Sequence, residues 1–123
     1  MNIDEFKKSS EYALFIKNNP GVGRLKIRAY AASEAVPVSG LNIVVSSMIF
    51  GKKIVFFKGT TDVSGVIPIL ELPTPGLMNN LEIPKTMKYD IEVLENNNIF
   101  PVNMYDGIIV VQNINYIEDN YGN

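Results

Sequence analysis

The residues of this 123-residue chain that could do chemistry are carboxylates, hydroxyls, lysines and amides, because it contains no histidine and no cysteine. Histidine is the commonest general base near neutral pH and the commonest transition-metal ligand, and cysteine supplies nucleophiles, thiolate metal sites and disulfides. Those routes are closed. Asp62, Ser64 and Gly65 lie close enough in sequence for a fragment of a calcium loop, but such a loop needs further oxygen ligands at alternating positions. The same residues suit a tight turn better, with Asp62 accepting backbone hydrogen bonds in an Asx-turn and Gly65 supplying a positive φ. Gly21-Val22-Gly23-Arg24 begins like a phosphate cradle, yet no P-loop lysine follows, and the glycines precede a strand pattern where a helix is required. Lys26, Glu92 and Asn113 or Asn115 are the residue types of an intramolecular isopeptide bond. That bond needs its lysine in the core, whereas Leu25 and Ile27 claim the core face and turn Lys26 outward. Ser33, Glu34, Ser64, Glu71 and Glu82 have the chemistry for a carboxylate dyad or an activated nucleophile, but no motif places them. No residue is therefore assigned a catalytic, metal-binding or cofactor-binding role, and the chain is read as a non-enzyme.

The elements that must position these residues are one helix and a series of short strands. Asn2 and Glu5 have capping-box spacing, Asp4 and Lys8 are spaced as a helical ion pair, and Asn18-Asn19-Pro20-Gly21 is a stop signal, which predicts a helix over residues 3–17. From Gly23 the period becomes two: Leu25, Ile27 and Ala29 alternate with Arg24, Lys26 and Arg28, the pattern of a half-buried strand. This basic row is expected to meet Asp90 and Glu92 across strands, each pair contributing about 0.2–1 kcal/mol. Further strands are expected over 41–50 and 54–57, joined through Gly51-Lys52-Lys53, then over 66–70, 87–94, 99–104 and 108–117. Pro68 suits an edge position, and 73–84 is expected to be the longest loop. Gly40, Asp62, Gly65 and Gly107 are the expected turn residues. The predicted architecture is all-β: a seven-stranded antiparallel β-sandwich with a short N-terminal helix. It comprises a helical segment 1–20, a β-sandwich domain 21–117 and a polar, frayed tail 118–123. Leu25, Ile27, Val45, Phe56, Ile91, Val93 and Val110 are expected inside.

Composition narrows the function classes. With 46% apolar and 20% charged residues the chain has the make-up of a folded globular domain, and its length holds one core. A net charge of -2 offers no surplus of positive charge for a nucleic-acid backbone. No apolar stretch approaches the roughly 20 residues of a membrane span, and the N-terminus lacks the apolar run of a signal peptide, so cytoplasmic synthesis is expected, with the final compartment open.

Gly23-Arg24-Leu25-Lys26-Ile27, then Val36-Pro37-Val38-Ser39-Gly40 before a strand, then Thr61-Asp62-Val63-Ser64-Gly65, form an order of motifs that resembles the carboxypeptidase regulatory-like domains. The variant found in clostridial spore cortex-lytic and cell-wall proteins is similar further along, at Leu70-Glu71-Leu72-Pro73-Thr74-Pro75, Tyr89-Asp90-Ile91-Glu92-Val93 and 107–114. The resemblance covers about residues 23–117 and implies a prealbumin-like (transthyretin-like) sandwich. It implies no activity, since fold and function separate readily. The hydrolytic relatives in that superfamily, the hydroxyisourate hydrolases, use histidines that this chain does not have.

The function expected from these features is that of a non-enzymatic β-sandwich module in protein–protein or cell-envelope interaction. A structural subunit of a larger assembly, such as a spore layer or phage-tail-like particle, is the alternative, and an enzyme with an unrecognised carboxylate site is third. The expected partner is another protein, further copies of the chain or a cell-envelope polymer. Phe6, Tyr12, Phe15 and Ile16 are the expected interaction residues, because the N-terminal segment carries too much apolar surface to leave in water.

Overall fold

The computed structural model describes residues 1–32, 35–76 and 85–117; Ser33, Glu34, Glu82 and the tail 118–123 lie outside the described residues. Two short helices, α1 (Ile3–Lys7) and α2 (Tyr12–Asn18), precede eight strands: β1 (Gly21–Ala31), β2 (Val36–Pro37), β3 (Asn42–Ile49), β4 (Lys52–Thr60), β5 (Leu70–Thr74), β6 (Met87–Val93), β7 (Asn98–Met104) and β8 (Ile109–Asn115). The class is all-β in two sheets, with eight strands among the described residues where seven were expected. The two-residue β2 has no counterpart among the expected strands. The strand expected over 66–70 starts at Leu70 instead: Val66 makes a single bridge to Arg28, and the register has shifted by one residue where Leu70 pairs with Leu25. β3 and β4 form a hairpin whose loop is Phe50-Gly51, at φ 50 and 76. Those paired positive φ values match the right-handed twist of the flanking strands, so Lys52 and Lys53 belong to β4 rather than to the loop.

One sheet is antiparallel throughout, in the order β4-β3-β6-β7. The other is built around β1. Arg24 pairs with Glu71 of β5 and with Ile109 of β8, and Tyr30 with Pro37 of β2 and Asn115 of β8. β8 therefore runs along one edge of β1 while β5, Val66 and β2 follow one another along the opposite edge. The β1–β8 pairing is parallel, which corrects the expectation of a wholly antiparallel sandwich. Period-two alternation reports the face a residue takes and nothing about strand direction.

The sheets meet through a shared core. Leu25, Ile27 and Ala29 of β1, Leu72 of β5 and Ile114 of β8 cluster with Ile43, Val45, Tyr89, Ile91 and Val93 of the facing sheet. Of the expected core, Phe56 and Val110 are half-buried against this cluster and the rest are fully buried. Burying a side chain of this size contributes about 1.5–3 kcal/mol.

The N-terminal segment is two helices rather than one. The Asn2–Glu5 capping box forms, Glu5 N–H donating to Asn2 Oδ1 at 2.9 Å. Ser9 then donates both its N–H (2.9 Å) and its hydroxyl (2.7 Å) to the Phe6 carbonyl, and such local bonds compete with helix continuation. Phe6 and Phe15 are buried with Ile49 and Ile54, and Tyr12 and Ile16 pack partly buried beside them. The expected interaction residues are thus packed inside their own chain, because the β3–β4 hairpin leaves Ile49 and Ile54 for the helices to cover. Rings run from Phe6 through Phe15 and Phe56 to Tyr89, with centroids 5.5, 6.4 and 5.2 Å apart in turn. Tyr89 ends this chain by donating its hydroxyl to the Pro73 carbonyl at 2.6 Å, and burial pushes its pKa far above the ordinary phenol range.

Glycines and an aspartate build the turns. Gly40, Gly65 and Gly107 have φ of 78, 76 and 75, and Asp62 Oδ1 accepts from the N–H groups of Ser64 (2.8 Å) and Val66 (3.2 Å). A Cβ at Gly65 would stand 2.4 Å from the Ala29 carbonyl oxygen. Gly65→Val should therefore cost about 2–3 kcal/mol or more, lowering the melting temperature by on the order of 10 °C. Ser64→Ala should stay within about 0.5 kcal/mol. Equal melting points for the two variants would refute this account of the turn.

Tyr89 sets a pH dependence. Below about pH 9 the folded and unfolded chains both keep its proton; above about 10 only the unfolded chain releases it, so stability falls as pH rises, by up to about 1.4 kcal/mol per unit. Chemical denaturation from pH 8 to 11 should show Tyr89→Phe losing that share of the slope. An unchanged slope would remove the role assigned to the buried phenol.

Candidate functional site

Residues paired across strands share a sheet face, so the β1 registers define the outer face of its sheet. Leu25, Ile27 and Ala29 point into the core. Arg24, Lys26 and Arg28 therefore point outward, with Ile109, Val111 and Asn113 of β8 as their respective neighbours and Glu71 of β5 beside Arg24. Ile109 and Val111 are 57% and 49% exposed, so a basic row runs beside an apolar one. Arg28 stacks its guanidinium over the Tyr30 ring, 5.0 Å from the centroid, and donates to the Tyr30 hydroxyl. At the start of β8 a depression of about 190 Å³ is lined by Val22, Arg24, Glu71, Gly107, Ile108 and Ile109.

Charge on this face is largely uncompensated. Among the described residues the ion pairs are Lys52–Glu11 at 2.8 Å and Lys53–Glu92 at 3.4 Å, and neither involves Arg24, Lys26 or Arg28. The expected meeting of the basic row with Asp90 and Glu92 does not occur. Those acids lie on β6, in the other sheet.

The β8 edge itself is open. Arg24 N–H donates to the Ile108 carbonyl (3.0 Å) and Tyr116 N–H to the Tyr30 carbonyl (2.7 Å), so the even-numbered positions of this strand face β1. The backbone groups of Ile109, Val111, Asn113 and Asn115 then point away from the sheet; one of them, the Asn113 carbonyl, accepts from the Gln112 side chain at 3.1 Å. Exposed edges are usually blunted by proline, charge or a covering segment. Here β7 carries Pro101, β5 carries Pro73 and Glu71, and β2 is two residues long with Pro37. At β4, Met1 and Asn2 cover the edge, Val55 N–H donating to the Met1 carbonyl at 2.9 Å. β8, Ile109-Val110-Val111-Gln112-Asn113-Ile114-Asn115, has no proline and no charge, and among the described residues nothing pairs with its outer side.

The residues singled out for chemistry are not gathered into a site. Lys26 and Asn113 share the outer face, outside the core, while Glu92 lies on the other sheet beside Lys53. Asp62 and Ser64 form a solvent-exposed turn. Gly21 and Gly23 are demanded by packing: a Cβ on Gly23 would approach the Tyr105 carbonyl oxygen to 2.6 Å, and one on Gly21 the Asp106 carboxyl to 2.5 Å. A larger cleft, about 400 Å³, lies between the helices and β5 over Phe56 and Leu72, with Lys7 and Glu71 on its walls. The open edge was not legible in the sequence, since β3 is equally free of charge and proline yet lies between β4 and β6.

No family model and no curated protein matches the chain. Among solved structures it is similar to the Bacillus anthracis TIE protein, at 20% identity over 77% of this chain, with a TM-score of 0.51. The match covers 16% of that protein's chain, and a likeness this distant reports the fold alone.

Proposed function

We propose that this chain is a non-enzymatic binding module whose working surface is the open β8 edge and the outer sheet face beside it. One observation carries the reading: among the described residues β8 is the edge left without proline, charge or cover, while the others are protected. An open edge offers a row of backbone donors and acceptors to an extended partner, and the side chains beside it supply selectivity. Kinship with the carboxypeptidase regulatory-like domains belongs to the same proposal, supported by the order of the turns at Gly40 and Asp62–Gly65 in a two-sheet fold. A second reading, a subunit that assembles through β8–β8 contacts, is favoured by the uncharged strand alone.

Two measurements test the module. Amide hydrogen exchange should be faster at Val111 and Asn113 than at Val110, Gln112 and Ile114, whose N–H groups face β1. Val111→Pro and Asn113→Pro each delete an outward N–H and spare the β1 ladder, so both should stay folded. Partners that immobilised wild-type protein retains from native cell extract should be lost by both variants. Retention equal to wild type, or slow exchange at the outward amides, would overturn the assignment of this edge.

A further inference from the structure

Resting on the reading of β8 as a docking edge, we infer that its partner is an acidic extended segment, with two carboxylates at alternate positions and an apolar residue two positions beyond. The register dictates this pattern. Lys26 lies beside Val111 and Arg28 beside Asn113, while Arg24, beside Ile109, already has Glu71 as its neighbour on the other side. The uncompensated charge therefore sits at two successive outward positions, Lys26 and Arg28.

A strand added to β8 would lie about two strand spacings, roughly 10 Å, from β1. Its outward side chains would stand next to Ile109, Val111 and Asn113. Lys26 is long enough to extend past Val111 to an acid placed opposite it, and Arg28 meets an acid opposite Asn113 by swinging its guanidinium from the Tyr30 ring. The position opposite Ile109 stands beside that exposed aliphatic side chain, which suits an aliphatic group. A parallel partner thus reads apolar-x-acid-x-acid, and an antiparallel one the reverse.

A second copy of the chain fits this surface less well. Its β8 offers Ile109, Val111, Asn113 and Asn115 and no acidic residue, so β8–β8 pairing would leave both basic rows without counter-charge. Charge complementarity favours a different, acidic chain.

The test uses capped peptides of seven residues, the length of β8, carrying Ile-Thr-Glu-Thr-Glu or its reverse, beside analogues with lysine in place of glutamate. Binding is followed by amide shifts in the full chain. One glutamate peptide should bind, with the largest shifts at Ile109, Val111 and Asn113. Its Kd should rise at least about tenfold in Lys26→Glu and in Arg28→Glu, and again between low and high salt, while the lysine analogues should not bind. Binding of the lysine analogues as tightly as the glutamate peptides would overturn the acidic partner and leave the docking edge standing, provided Val111→Pro abolishes both. Failure of every peptide, or shifts confined to the opposite sheet, would overturn the inference. The same failure together with slow exchange at the outward β8 amides would remove the docking edge as well.

Discussion

The backbone of β1 must be hydrogen-bonded on both of its edges, because one face of this eleven-residue strand is buried and unpaired peptide groups there would cost about as much as lost hydrogen bonds. Meeting that demand takes β8 on one side and three separate pieces on the other. Local devices help: the Asp62–Gly65 turn aims Val66 at Arg28, and Gly23 lets the Tyr105 backbone pass close to β1. The partners of β1 come from distant parts of the chain, so the sheet depends on long-range contacts that form slowly in folding.

The second sheet solves a different problem. Its hairpin leaves Ile49 and Ile54 at one end of the molecule, and the two helices close over them instead of extending the sheets. The row of rings from Phe6 to Tyr89 makes this cover continuous with the main core, and the Tyr89 hydroxyl ties it across to Pro73 on the opposite sheet. The N-terminal segment is therefore part of the domain's packing, and Met1 and Asn2 also shield the β4 edge.

Most of the strand positions were legible in the sequence, since alternation such as Leu25, Ile27 and Ala29 against Arg24, Lys26 and Arg28 reports directly which side chains are buried. The turn at Asp62–Gly65 was legible for the same local reason. Strand neighbours were not. Arg24 beside Glu71 rather than Asp90, and β8 parallel to β1, are set by which sheet each strand joins, and alternation has no term for that. The single N-terminal helix failed on Ser9, whose side chain competes locally for the Phe6 carbonyl. The candidate site was hidden because it is defined by what β8 lacks, visible only once the protected edges of the other strands are known.

The parallel alignment of β1 and β8 has a mechanical consequence. The start of β1 and the end of β8 lie at opposite ends of their shared ladder, which spans Arg24–Tyr30 and Ile109–Asn115. Tension that enters at the start of β1 and leaves at the end of β8 pulls the two strands lengthwise past each other, so their hydrogen bonds carry the force together in shear. An antiparallel pair held in the same way would open like a zipper, one bond at a time.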